Sequence, residues 1–427
     1  MRFLLVSYND FDGVGQTVAN LNKTLNELGH ASKIILLSQS SNSDNIYIIK
    51  RSLIKRFFYY FYEFLKKRYS DLFSFGNSTI EFKSIEKHVN KSDVIIIYTL
   101  HKFLSLEMLS KIFSKKKIVY LRPLDMELAT GGCHVNFIYE NSKECKKYLT
   151  GCNNCPKLNN LNIFNFSNKI FNLKKHFMEK FKPSILLENK YTKKLYDNSP
   201  ITKNAKNQVI YLPVRESRGN LIIKKEARKL FNLKQDEKIL LFGTYNLDAP
   251  HKGGRMMSEI LNLFVEYSNS KNKNLLKSNV VKLVTFGRKQ GFKIEIPQVT
   301  WLHLGVIKGD RKLNSLYRSA DAFISPASGC NAPSTIREAT INEIPTIGFD
   351  NGEASEAIKN NINGFLIPEY DKKKFAIAIF ETLFNKNFRE DKKWMDLLKL
   401  RYNFKTEAEM IIDKAQNDCK NIKEKIN

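Results

Sequence analysis

The sequence has no uninterrupted apolar run of the roughly 18 residues that a membrane-spanning helix requires, so no such helix is expected. The opening "MRFLLVSYNDFDG" has too short an apolar run, and turns polar too soon, for a signal peptide. It reads as a first strand, and a cytoplasmic protein is expected. Cysteine is scarce, with six in 427 residues. In a cytosolic chain these are not expected to form structural disulfides. Acidic residues are too few to balance the basic ones: 43 Asp and Glu stand against 70 Lys and Arg, a formal charge of +27. The imbalance favours polyanionic partners such as nucleic acid, anionic lipid or phosphorylated substrates. It is equally compatible with lysine spread over every solvated face. Neither an internal repeat nor a low-complexity array is present, so the fold is not read as a repeat array. Apolar residues make up 42%, which suits a globular protein. The length exceeds one ordinary core, and two domains are expected.

Strand-like and helix-like patterns alternate along the chain. In the first part, "RFLLVSY" (Arg2–Tyr8), "KIILLS" (Lys33–Ser38), "DVIIIYTL" (Asp93–Leu100) and "KKIVYLRPL" (Lys116–Leu124) are short apolar runs with strand character. "VANLNKTLNELG" (Val18–Gly29) is a helical pattern closed by glycine. A second series holds "KILLFGTY" (Lys238–Tyr245), "VVKLVTFG" (Val280–Gly287), "VTWLHLG" (Val299–Gly305), "DAFISP" (Asp321–Pro326) and "IPTIGFD" (Ile344–Asp350). Strands alternating with helices predict two doubly wound parallel sheets of the α/β class. Ligands then bind beyond the carboxyl ends of the strands. The expected division is an N-terminal domain over 1–213, a turn-rich linker over 214–222, a C-terminal domain over 223–395 and a helical tail over 396–427.

The richest run is Ser328–Pro368, "SGCNAPSTIREATINEIPTIGFDNGEASEAIKNNINGFLIP". A polar loop from Asn331 to Thr335 leads into a helix, with Pro333 at its start and Glu338 one turn in. Open backbone N–H groups at a helix start can hold a phosphate. A glutamate one turn in can accept hydrogen bonds from ribose hydroxyls, or it can be an ordinary first-turn carboxylate favoured by the helix dipole. Lys252 lies in "DAPHKGG", and Gly13 and Gly15 lie in "DGVGQ" directly after the first strand. A glycine there lets the backbone approach a ligand closely, or simply makes a tight turn.

Taken in order, "NAPSTIREA", "IPTIGFDNG" and "NGFLIP" resemble the donor-binding segment of retaining GT-B glycosyltransferases of the Glu-x₇-Glu type. The resemblance extends over most of the chain, through the first strand with its Gly loop, "LYRSADAFISP" and the late helical tail. It implies two Rossmann-like domains facing a cleft, with the tail crossing back onto the first. It implies a nucleotide-diphosphate sugar as donor, with Glu338 on the ribose, Ser334 and Thr335 at the phosphates and Asn331 among the donor-binding residues. Lys252 would neutralise the diphosphate leaving group, whose oxygens gain charge in the transition state. Gly13 and Gly15 would let the sugar or diphosphate approach. No catalytic metal is implied.

Two positions depart from the pattern. Cys330 stands where the first glutamate of the pair is expected, facing the donor sugar. Leu124 stands where many relatives carry a histidine directly before the aspartate, here Asp125. Asp125 either binds an acceptor hydroxyl or is a helix N-cap. The arginine often found before the lysine is missing between Phe242 and Lys252, and Arg255 or Arg288 is the candidate to replace it. A catalytically weak or inactive sugar-nucleotide or glycan-binding relative is the alternative reading.

Four of the six cysteines, Cys133, Cys145, Cys152 and Cys155, fall within 23 residues, spaced Cys-x₁₁-Cys-x₆-Cys-x₂-Cys, with His134 beside the first. The last pair is a half-site common in structural zinc centres, and His134 is an alternate ligand to Cys133. Plain burial as small apolar side chains is the competing reading. "TGGCH" followed by "CNNCP" is similar to the polysaccharide glycosyltransferases of capsule, O-antigen and colanic-acid type. That resemblance implies a glycan acceptor, lipid-linked, in surface polysaccharide synthesis. Finally, Arg51–Phe75 holds ten aromatic residues and six Lys or Arg. Such a helix fits an anionic membrane surface, hence a peripheral place on the inner face of the cytoplasmic membrane. Its aromatics could instead pack on the sheet. No recognisable nucleic-acid-binding motif is present, and no nucleic-acid partner is expected.

Overall fold

The computed structural model describes all residues except 11–12, 40–44, 64–72, 75, 139–142, 159–164, 215–221, 329–332, 386–387 and 425–427. Two of the expected donor-site residues, Cys330 and Asn331, therefore lie outside the described residues, as do most of the expected linker and residues 64–72 of the aromatic stretch. The chain divides into two compact units, Met1–Pro213 with Arg401–Asn427, and Val214–Leu400.

The first unit is built on strands β1 (Arg2–Val6), β2 (Ala31–Leu36), β3 (Ile46–Ile48), β4 (Val94–Ile97) and β5 (Ile118–Leu121). A short antiparallel pair, β6 (Phe137–Ile138) and β7 (Lys143–Glu144), precedes β8 (Ser184–Leu187) and β9 (Lys206–Val209). Seven strands form one sheet in the order β3-β2-β1-β4-β5-β8-β9, parallel throughout. Strands covered on both faces read as continuous apolar runs, and Phe3, Leu4, Leu5 and Val6 are all buried. The helix Gly13–Glu27 buries Val18, Leu21 and Leu25 on one face. It gives way to Gly29 at φ +80°, a left-handed position suited to glycine after a helix.

The helix Phe404–Glu424 belongs to this unit. Its Ala408, Ile411, Ile412 and Ala415 recur at helical spacing and join Phe3, Leu5, Val18 and Leu25 in one apolar cluster. A buried ion pair reinforces the seam: Arg122 Nη2 donates to Glu407 Oε1 at 2.5 Å, with both side chains fully buried. Tyr120 donates its hydroxyl to Asp418 at 2.8 Å.

The second unit holds β10 (Lys238–Asn246), β11 (Val281–Arg288), β12 (Val299–His303), β13 (Ala322–Ser325), β14 (Thr346–Phe349) and β15 (Gly364–Ile367). Its sheet, again all parallel, has the order β12-β11-β10-β13-β14-β15. The helices Gly254–Lys271 and Lys372–Phe380 contribute Met257, Ile260, Phe264, Phe375 and Ile379 to its core. In both sheets the strand order reverses once, between β1 and β4 and between β10 and β13. In such sheets the crevice at the carboxyl ends beside the reversal is the ligand position.

Candidate functional site

At the reversal of the second sheet, two loops are fastened together. The chain leaves β10, makes a short turn over Pro250–Lys252 and enters the helix Gly254–Lys271. Gly253 has φ +82°, and a Cβ there would lie 2.0 Å from the Pro326 carbonyl oxygen that follows β13. Only glycine meets both demands. Ser328 N–H, also after β13, donates to the His251 carbonyl at 3.0 Å. Lys252 is thereby held, half-buried, beside the segment that leads into the next helix.

That helix spans Ser334–Ile341, with Pro333 before it and no side chain capping its start. Ser334 is exposed and Thr335 half-buried. Glu338 Oε2 accepts the hydroxyl hydrogen of Tyr317 at 2.7 Å. Tyr317 is completely buried. Burial first, and then the Glu338 charge, raise its pKa well above the ordinary value, so it remains a donor and orients the carboxylate. Behind the site, Arg337 Nη1 donates to Glu353 Oε2 at 2.7 Å in a buried pair that anchors the helix.

Of the two arginines expected to replace the missing one, Arg288 ends β11 opposite Asn246 of β10. Its guanidinium lies over the Tyr245 ring, 4.5 Å from the centroid. Arg255 instead pairs with Asp248 at 4.0 Å. A hollow of about 670 Å³ lies at the opposite sheet edge, among Lys238, Asp321, Asn342 and Pro345 near the strand starts. That edge is not where a parallel sheet binds its ligand, and Lys252 and Glu338 do not line it.

At the carboxyl edge of the first sheet, Gly13 opens its helix, and a Cβ there would meet nothing within 4 Å. Gly15 is different: a Cβ would lie 2.3 Å from the Asn9 carbonyl oxygen. Its lack of a side chain serves the packing of the turn.

Asp125 follows β5 and does two things. Oδ1 accepts the Glu127 N–H at 2.7 Å and so shapes the turn Glu127–Ala129. Oδ2 accepts from His134 Nδ1 at 2.7 Å. One oxygen of Asp125 thus shapes the turn, in which Met126 and not Asp125 holds the N-cap position, and the other holds a histidine. Met126 N–H donates to the His134 carbonyl at 2.9 Å, which brings the Gly-Gly-Cys-His loop back to this point. Burial disfavours a charged His134, but the charges of Asp125 and Glu127 outweigh it, and its pKa is raised. His101, beyond β4, stacks edge-on against the His134 ring at 5.2 Å. Beneath them Lys174 is wholly buried, donating to the carbonyls of Glu127 and Thr130.

This pairing was not readable in advance. In sequence His134 stands beside Cys133 and reads as an alternate metal ligand to it. Yet it is not among the residues that line the hollow between the four thiols. Among the described residues, Asp125, Glu127 and His134 form the set of three ligand-type side chains with atoms within 4.8 Å of one another. The Asp125–His134 hydrogen bond and the Lys174 ammonium already compensate charge there. A histidine arriving from a loop nine residues downstream thus stands beside Asp125, although Leu124 occupies the position before it.

The aromatic stretch forms the helix Leu53–Glu63. Tyr59 packs inward, its hydroxyl 3.5 Å from His101 Nε2. Phe57, Phe58, Tyr60 and Phe61 are 71%, 57%, 56% and 60% exposed. Packing against the protein therefore accounts for Tyr59 and not for these four. Among the described residues no helix is long and apolar enough to cross a membrane.

With this geometry in place, comparisons with known proteins bear on both units. Residues 273–394 match the family "Glycosyl transferases group 1". No curated protein sequence matches the chain. Among solved structures the fold is similar to the sucrose-phosphate synthase of Thermosynechococcus elongatus, at TM-score 0.63 and 13% identity over 98% of both chains. It is similar to Anabaena HepE in complex with UDP, at TM-score 0.61 and 12% identity over 98% of this chain and all of that one. It is also similar to WaaG, a glycosyltransferase involved in lipopolysaccharide biosynthesis, at TM-score 0.59 and 12% identity over 97% and 99%. The chain thus has the GT-B fold, and residues 273–394 of its second unit are similar to the glycosyl transferases group 1 family.

Proposed function

We propose that the protein is a retaining glycosyltransferase that moves a sugar from a nucleotide-diphosphate donor to a glycan acceptor, lipid-linked, in surface polysaccharide synthesis. What carries this reading is that the Lys252 turn follows β10 and the helix Ser334–Ile341, with Glu338, follows β13, the two strands at the order reversal of the second sheet. The group 1 family match and the UDP held by one structural neighbour support the donor class. The neighbour involved in lipopolysaccharide biosynthesis supports the pathway class.

In this reading Glu338 accepts hydrogen bonds from the ribose, and the amides of Ser334 and Thr335 face the diphosphate. The bond from the anomeric carbon to the diphosphate breaks, a bond to an acceptor hydroxyl oxygen forms on the same face, and that hydroxyl's proton passes to the departing diphosphate. Lys252 stabilises the charge that develops on the departing oxygens. Asp125, steadied by His134, binds an acceptor hydroxyl. Catalysis rests on positioning and on leaving-group stabilisation, and no catalytic metal is required.

A thermal-shift screen against UDP-, GDP-, ADP- and CMP-sugars identifies the donor. Glu338→Gln keeps the Tyr317 contact but removes the charged acceptor. A hydrogen bond to a charged group contributes about 1.5–3 kcal/mol, so donor affinity falls roughly tenfold or more. Unchanged affinity would exclude Glu338 from the nucleotide site. Donor binding without hydrolysis or transfer would favour the inactive-relative reading.

The exposed aromatics of Leu53–Glu63, flanked by Arg51, Lys55 and Arg56, support a peripheral place on an anionic membrane. The wild-type chain should float with vesicles containing anionic lipid, and Phe57→Ser with Phe61→Ser should abolish flotation. Equal flotation of both proteins would remove this helix as the contact.

A further inference from the structure

Four side chains take no part in the transfer reading and form a site of their own. Cys133, Cys145, Cys152 and Cys155 all line one small hollow in the first unit, beside Tyr148 and Pro156. It leaves about 10 Å³ for the centre of a water-sized sphere, room for one water or one ion. Cys133, Cys152 and Cys155 are buried and Cys145 is half-buried.

The sulfurs around the hollow have hydrogen-bond partners. Cys145 receives a hydrogen bond from the Lys147 N–H, and Cys155 from the Lys157 N–H, in each case two residues downstream. Cys152 Sγ accepts the Gly131 N–H at 3.2 Å. Cys133 and Cys155 are hydrogen-bonded to each other. The turn itself is conformationally costly. Cys152 and Asn154 have φ +56° and +49°, a region that non-glycine residues visit rarely.

We propose that Cys133, Cys145, Cys152 and Cys155 form a structural tetrathiolate site for one divalent metal ion of the zinc class. The ion supplies the positive charge that buried thiolates require. Each thiol that binds gives up its proton to solvent, so loading strengthens as pH rises. No three of these sulfurs belong to a ligand set within 4.8 Å among the described residues. Tetrahedral bonds of about 2.3 Å place sulfurs about 3.8 Å apart, so binding draws the loop inward. His134 directly follows Cys133, and the same contraction fixes the loop that carries it to Asp125.

The test uses the full chain, purified with a reductant and without added metal. Elemental analysis should find about one equivalent of zinc, the content of a single closed site. Cobalt(II) exchange should give the intense thiolate-to-cobalt charge-transfer absorption of a tetrahedral sulfur site. Chelation should lower the melting temperature. Because a single substitution can unfold the loop, Cys145→Ser is paired with Cys152→Ser, and near-UV circular dichroism confirms that the chain remains folded. The folded double variant should lose the cobalt absorption. Zinc below about 0.2 equivalents together with no cobalt charge-transfer band would overturn the proposal. Undiminished cobalt absorption in the double variant, or oxidation of the four cysteines to two disulfides in the untreated protein, would overturn it too. None of these readouts depends on transferase activity.

Discussion

Lys252→Ala is expected to lower turnover by about 10²–10³-fold, the loss typical when one donor to a developing oxyanion is removed. The ground-state diphosphate is already solvated and can be held by helix amides, so donor affinity falls much less. The division follows from where the charge appears. The bridging oxygen of the donor gains negative charge only as its bond to the sugar breaks, and a fixed ammonium is then most effective. Fixation is what the structure supplies. The Gly253 contact with Pro326 and the Ser328–His251 hydrogen bond leave the Pro250–Lys252 turn little freedom to relax. Steady-state kinetics with the donor found by thermal shift decides the matter. Near-normal kcat in the variant would remove Lys252 from the mechanism. A loss confined to KM would give it a role in binding alone.

The second large effect concerns stability. Arg122→Ala or Glu407→Ala is expected to cost the first unit about 3–5 kcal/mol, because each leaves a fully buried charge without its partner. For a unit of this size that corresponds to a drop of roughly 10 °C in its melting temperature. The pair is not an optimised one: Arg122 Nε and Nη1 have no hydrogen-bond partner among the described residues. Replacing both residues with apolar ones, Arg122→Met with Glu407→Leu, should therefore recover most of the loss. Scanning calorimetry of the three variants measures both expectations. Single variants that melt like the wild type would show that the buried pair contributes nothing.

The architecture was legible where strands are apolar and buried on both faces. Asp93–Leu100, Lys116–Leu124 and the five strands read between Lys238 and Asp350 all contain strands of the two sheets. Strands that carry little apolar signal were missed. β9, "KNQV", is polar and lies at the edge of its sheet, and β3, "IYI", has only three residues at the other edge. β8, "SILL", is buried but too short for periodicity to separate it from a helix turn.

The candidate site divides in the same way. The helix start before Glu338 is legible because its signals are local. The Tyr317 hydroxyl that orients Glu338 comes from another helix, and nothing in the sequence marks the contact. His134 was assigned to the nearest cysteine because sequence adjacency was the only distance available. In the fold, the backbone bond between Met126 and His134 turns the ring towards Asp125. Lys174 shows the limit most plainly. A lysine in a lysine-rich helix is normally solvated, yet this one is buried on two carbonyls supplied by a loop more than 40 residues earlier.

The reach from Arg122 to Glu407 spans 285 residues, with the whole second unit between them. During synthesis, Arg122 emerges long before any carboxylate can meet it. The first unit can therefore form its sheet early but cannot close the face that holds Ala408, Ile411 and Ala415 until those residues have left the ribosome. The second unit has no such debt to a distant segment. The domain made second is thus the first able to finish folding, and the domain made first waits, with an apolar flank open, while the whole second unit is translated.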